Sequence, residues 1–375
     1  MWVYFWTEYI PRTFTISWEE KSDMSSWWTY SDDAAWLTAW STDFDEFFWY
    51  SWVRLNGSWV ETASITQEAS WWAWKLDITQ LWTLTTGDNV MIKFPVRWIK
   101  MSKSWSVVTL SITEELNKAW YQYYAHCTWT LSNPWTPKDA FYLWTYIWAS
   151  TGDWFRSRSW QTPYWSQYQS YYCTIAKQQW TWYNIEWFYQ RMYINALYMM
   201  KYWNPDSQSV VWKWRINAGS YSNTWWTNSQ TNATYWVTSD EYTQMKLFGL
   251  EDWWGNVAEH IWWAYFTWTE LYVQLNWYSW AYSWGEATWA TVNWSWQEMS
   301  GIVWSNNGMF LWSSVANNSS YNTYYCDQVN YNTTNRLLVG GWFRTDTTSA
   351  WIFNIKQIWN GQYSSAMGAR LLYLN

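Results

Sequence analysis

Residues 250–259 read LEDWWGNVAE. The WGNV run within it reads as a turn and loop. On this reading Glu251 or Asp252 caps the turn and Glu259 anchors the loop through hydrogen bonds. A catalytic carboxylate pair drawn from Glu251, Asp252 and Glu259 is the competing reading. Asn256, Glu259 and the loop carbonyls are also hard oxygen donors of the kind calcium takes, although their spacing alone defines no metal site. Two later segments, RLLVGGWF at 336–343 and GARL at 368–371, complete the series that sets the expected fold.

Upstream lies one clear helical pattern. Ile185, Phe188, Met192, Ala196 and Met199 recur at spacings of three and four, an amphipathic stripe over about 184–202. Asn184 is the expected N-cap. Pro205 ends the run, and Trp203 occupies the slot where helices most often carry a left-handed glycine.

That slot is one of several. The chain has 49 tryptophans and 13 glycines in 375 residues, so glycine stands at roughly half its ordinary share of about 7%. Tryptophans fill turn-like stretches: Trp135 in NPWTP, Trp225 and Trp226 in NTWWTN, and the indoles of NWYSW and NWSW. Turns favour glycine because positive φ is costly for a bulky residue. We therefore read many tryptophans as standing where glycine belongs. Some bacterial lineages, and the phages that infect them, read UGA as glycine, and translating such a gene with UGA as tryptophan gives this pattern. Trp135, Trp203, Trp225 and Trp226 are expected to be of that kind. The rival is a genuinely tryptophan-rich protein whose surface indoles stack on sugars.

Composition narrows the partners. A net charge of −7 argues against a nucleic-acid binder that relies on phosphate contacts. Hydrophobic residues at 49% supply a core, and 14% charged residues with six prolines exclude a charged disordered chain. Cys127, Cys173 and Cys326 show neither zinc nor disulfide spacing and read as buried small hydrophobes. The N-terminus has no basic region before an apolar run, so no signal peptide is expected. The longest apolar stretch, 141–149, is too short to span a bilayer. Residues 1–87 read as a β-rich attachment segment, with a boundary at the turn 85–89. Strands are expected at 90–94, 107–112, 141–147, 336–339, 351–355 and 370–374. Few helices, many short strands and long loops make the class α+β.

Taken in order, LEDWWGNVAE, RLLVGGWF and the terminal Gly368-Ala369-Arg370-Leu371 resemble the formylglycine-generating-enzyme-like (sulfatase-modifying-factor) branch of the C-type lectin fold. The likeness is nearest to bacteriophage tail-fibre and tail-tip proteins and covers about 88–375. It includes DNVMIKFP at 88–95, FYLWTYIWAS at 141–150 and YWNPDSQSVVWKWRINAG at 202–219. The resemblance implies that Glu251, Asp252, Trp254, Gly255, Asn256, Glu259, Gly340, Gly341, Gly368 and Arg370 carry the fold motif. Trp253 or Trp254 is then a genuine aromatic. Ala258 stands where the family usually has an aromatic, and His260 where tryptophan is common.

The catalytic members resemble an R-G-G-S-F-x-C pattern with a second cysteine five residues on. Aligned on Gly340-Gly341-Trp342-Phe343, those positions fall on Thr345 and Ala350. A hydroxyl and a methyl cannot replace a thiolate pair for a soft metal, so an oxidase of that type is disfavoured and no cofactor is expected. The two histidines, His126 and His260, read as structural.

Residues 317–334 read NNSSYNTYYCDQVNYNTT, the tyrosine and small-polar mixture that paratopes use. The resemblance places the ligand-facing surface in the C-terminal region, which some members diversify by a retroelement that mutates adenines. Tyr324, Tyr325, Asn330, Tyr331, Arg344, Asp346, Asn354 and Gln357 are the expected exposed contacts. The expectation is a non-catalytic virion tail protein that binds a host-surface protein or glycan and assembles with other tail proteins, as a homotrimer if it follows many tail fibres. A bacterial surface adhesin or carbohydrate-binding protein is the alternative.

Overall fold

The computed structural model describes residues 10–20, 28–37, 50–56, 58, 60–64, 67–70, 73–76, 88–130, 133–151, 154–157, 161–164, 167–179, 183–205, 207–210, 246–262, 264–267, 270–273, 286–291, 297–302, 312–316, 328–330, 336–339, 352–358 and 367–374. These residues are mostly β-sheet with few helices.

Thr29–Asp32, Thr13–Glu19, Val107–Thr113 and Trp98–Ser104 lie in that order in a four-stranded antiparallel sheet. Its two faces follow the two-residue period of a strand. Phe14, Ile16, Trp18, Val108, Leu110 and Ile112 are buried on one. On the other, hydroxyls pair across strands: Thr13 with Thr113 at 2.8 Å, Thr15 with Ser111 at 2.8 Å and Ser17 with Thr109 at 2.9 Å.

A six-stranded antiparallel sheet has the order Tyr183–Ile185, Leu371–Leu374, Ala140–Trp144, Asn89–Pro95, Ser51–Leu55, Glu61–Ser64. Phe94 and Phe141 stack on its core side at 5.0 Å. Strands from before residue 88 thus pair directly with strands after it in both sheets. This corrects the boundary expected at 87: Thr13–Glu19, Thr29–Asp32, Ser51–Leu55 and Glu61–Ser64 are part of the same fold, and the apolar residues of Thr13–Glu19 and Ser51–Leu55 enter the shared core.

A seven-stranded sheet has the order Trp312–Ala316, Gln297–Ile302, Gln328–Asn330, Ile355–Ile358, Arg336–Val339, Ala258–Ile261, Met367–Gly368. The strand expected at 336–339 is found with those bounds. The one expected at 351–355 begins only at Ile355, because residues 352–353 form a turn. Residues 133–137, expected to be a turn, pair as a strand with Cys127–Thr130. The prolines at 134 and 137 are tolerated because the two strands form a ribbon of their own.

The helix runs Phe188–Tyr202, starting later than its apolar spacing predicts. Asn184 is not its cap but sits in a strand, its side chain accepting from the Ile185 amide at 3.0 Å. Tyr183–Ile185 is drawn away from the helix by its pairing with Leu371–Leu374. All 15 residues of the helix are buried, so it has no solvent face. Its polar positions find carbonyls instead: Gln190 donates to Ala125 and Asn195 to Ile352 at 3.3 Å. A second helix, Gln169–Gln179, was not expected, since its mean hydropathy is low and its stripe weak.

Eight non-glycine residues have positive φ among the described residues, and three are tryptophans: Trp105 at 58°, Trp120 at 69° and Trp203 at 53°. Four others are Asp or Asn, which tolerate this region; a bulky residue there is a genuine outlier. Each tryptophan sits in a slot defined by its hydrogen bonds. Trp105 is the first of two residues linking Trp98–Ser104 to Val107–Thr113, with positive φ there and not at Ser106. That is the type II′ pattern, which calls for glycine at its first central position. Trp120 is the third residue of a turn closed by the Tyr121 amide on the Lys118 carbonyl at 3.2 Å, where positive φ marks a type II turn and glycine. Trp203 caps helix Phe188–Tyr202 in the left-handed region, its amide donating to Met199 at 3.0 Å, as the helix pattern predicts.

Candidate functional site

The three segments that set the expected fold come together. Glu259, in strand Ala258–Ile261, lies opposite Val339 on one side and pairs in parallel with Gly368 on the other. Residues 336–339, 258–261 and 367–368 are therefore adjacent strands of one sheet.

Side chains tie this meeting point. Arg370 donates to Glu259 through both Nε and Nη2, at 3.2 and 3.1 Å, a bidentate pair with both residues buried. Its remaining donors reach the carbonyls of Trp144, Thr145 and Glu251 at 2.6, 2.8 and 2.6 Å. The planar fork of arginine suits this arrangement, since one side chain closes five hydrogen bonds. Glu186 joins by its backbone: its amide donates to the Arg370 carbonyl at 2.8 Å, and its carbonyl accepts from Trp262 at 2.9 Å. The Glu186 carboxylate faces Arg191 at 3.7 Å. Burial, opposed by Arg191, raises its pKa.

The turn itself is built as the sequence implies. Asp252, Gly255 and Asn256 all have positive φ, at 55°, 76° and 51°. Asp252 accepts from the Asn256 side chain at 2.7 Å and so closes the turn. Glu259 does not anchor this loop as expected; it is spent on Arg370. Of the donors considered for calcium, the Glu259 carboxylate is committed to Arg370. Among the described residues, no group of three His, Cys, Asp or Glu side chains is placed to hold a metal ion.

Trp253 and Trp254 are both buried. Trp253 is anchored: the Arg191 guanidinium lies 3.7 Å from its ring centroid, and its indole N–H donates to Asn195 at 3.3 Å. Trp254 packs edge-on to Tyr198 at 6.4 Å, and its indole N–H has no hydrogen-bond partner among the described residues. Ala258 is buried beside Met367, and His260 packs against Tyr172 at 5.7 Å. Glu186 and Arg191 went unmarked in the sequence. Their only signal was polar residues inside a helical run, which reads as a solvent face until the helix proves buried on all sides.

The expected contact residues fare differently. Asn354 is buried, at 4% exposure, which corrects its reading as a surface contact; it enters the turn ahead of Ile355–Ile358 beside Ile352 and Phe353, which are buried too. Asn330 and Gln357 lie in strands Gln328–Asn330 and Ile355–Ile358. Tyr324, Tyr325, Tyr331, Arg344 and Asp346 lie outside the described residues, as do Gly340 and Gly341, Thr345 and Ala350.

Cys127 and Cys173 are buried free thiols. His126 is fully buried between Phe141 and Tyr193, at ring distances of 4.8 and 4.9 Å. Burial, with Arg97 adding repulsion, lowers its pKa to about 3. The unfolded chain takes up this proton near pH 6.5 and the folded chain does not. Stability is therefore fully present above about 6.5 and falls as pH drops toward 3. Denaturant melts across that range should show a slope of up to about 1.4 kcal/mol per pH unit from this group, and His126→Phe should flatten it.

No family model matches the chain, and no curated protein matches it.

Proposed function

We propose that the chain is a receptor-recognition protein of a bacteriophage tail, with a C-type-lectin-like scaffold that does no chemistry. The observation that carries the reading is the meeting of residues 258–261, 336–339 and 367–370 through Glu259 and Arg370. The titratable groups there bond to one another and to backbone, an arrangement suited to holding a loop-bearing surface. Within the tyrosine- and asparagine-rich run 317–334, Gln328–Asn330 is a strand of that same sheet. Tyrosine gives contact area at low entropic cost, and asparagine and serine supply adaptable hydrogen bonds. The partner is a host-surface protein or glycan. Among the described residues no helix is long and apolar enough to cross a membrane.

The same reading supplies a reason for the tryptophans at positive φ. A phage gene that reads UGA as glycine places glycine at Trp105, Trp120 and Trp203, the described tryptophans whose backbone asks for it.

Replacing Tyr324, Tyr331 and Arg344 together by alanine should abolish adsorption to host cells and leave the thermal melt unchanged. Adsorption that survives the triple replacement places the recognition surface elsewhere.

A further inference from the structure

Away from the Glu259–Arg370 cluster, a cavity of about 510 Å3 opens on the six-stranded sheet, on the face that carries Lys93, Tyr142 and Tyr373. This is within the size range of small-molecule sites, about 300–1,000 Å3. Tyr142 pairs with Tyr373 on one neighbouring strand and with Lys93 on the other, so the three stand in a row on one face. Phe94 and Phe141 point the other way, into the core. Lys93 bonds Glu61 at 2.9 Å, and the Tyr142 hydroxyl donates to the same Glu61 oxygen at 3.4 Å. Lys138 and Asp139 complete the rim. Their backbone is fixed: the Lys138 amide donates to His126 at 2.8 Å, and the Asp139 carbonyl accepts from Val96 at 2.7 Å.

Among the described lining residues the charges cancel, with Glu61 and Asp139 against Lys93 and Lys138. An anion entering the cavity meets two carboxylates, and a cation meets two ammonium groups. A ring of hydroxyls satisfies both, because each hydroxyl donates to a carboxylate and accepts from an ammonium. We propose that this cavity binds an uncharged sugar ring, gripped between the Lys138 ammonium and the Asp139 carboxylate over the paired tyrosines. The proposal does not rest on residues 317–357 and stands whether or not that region contacts a receptor.

The test titrates the full-length chain with the methyl glycosides of glucose, galactose and mannose and with N-acetylglucosamine, with inorganic phosphate as competitor. At least one sugar should saturate, phosphate should not displace it, and Lys138→Gln with Asp139→Asn should weaken it about tenfold or more. Asp139 is exposed and Lys138 half-buried, and an unchanged melt confirms that the variant folds; if it melts lower, the isosteric Asp139→Asn alone reads the same loss. Absence of saturation by every sugar, binding indifferent to these variants, or displacement by phosphate each overturns the proposal.

Discussion

Arg370→Met should cost about 3–5 kcal/mol of folding free energy, the expected effect of removing one partner from a buried ion pair. The loss has two parts. The Glu259 carboxylate is left buried without its bidentate partner, and the carbonyls of Trp144, Thr145 and Glu251 lose their donor. The second part touches strand Ala140–Trp144 and the turn at 250–256 together, so the variant should melt less cooperatively as well as earlier. Adding Glu259→Met should recover part of the loss, because the orphaned charge goes with it, while the three carbonyls stay unpaired. Equilibrium denaturation of the single and double variants separates the two parts. A single-variant cost below about 1 kcal/mol, the scale of an exposed pair, would mean that the strands meet without this cluster.

Trp105→Gly and Trp120→Gly should each stabilise the chain by about 1–2 kcal/mol, the cost of holding a side-chain-bearing residue in the left-handed region. Both side chains are almost fully exposed, at 96% and 86%, so their removal forfeits almost no packing. Trp203 is different, and the difference is a check on the argument. Its ring stacks on Tyr30 at 4.0 Å and its indole N–H donates to the Met200 carbonyl at 2.7 Å. The ring is only 8% exposed, and removing a buried tryptophan costs about 3–5 kcal/mol, more than the backbone gain. Trp203→Gly should therefore destabilise the chain while the other two gain. The unfolding midpoint in urea, at constant slope, reads all three; a loss of stability at 105 and 120 would show that these turns do not want glycine.

Backbone demands and strand pairing were readable where the sequence carries its own local reason. Pro205 and the three-and-four spacing located the end of the helix and the odd residue at its cap. The apolar run at 336–339 gave a strand with the right bounds. The start of the helix was missed because Tyr183–Ile185 takes its structure from a strand nearly two hundred residues later in the chain. The boundary at 87 failed for the same reason: nothing local announces that Thr13–Glu19 pairs with Val107–Thr113. Of the candidate site, the turn that Asp252 caps was accessible from residue type. The Arg370–Glu259 pair was not, since only the register of Glu259 against Gly368 brings them together.

The most direct test of the account is the mass of two tryptic peptides from the protein made by its own gene in its own host. Residues 104–118 contain Trp105, and residues 202–213 contain Trp203 and Trp212. The account predicts that both peptides are lighter than this sequence requires, with glycine at 105 and 203 and a further substitution at 212. Peptides at full mass, with tryptophan intact at 105, 203 and 212, would contradict it.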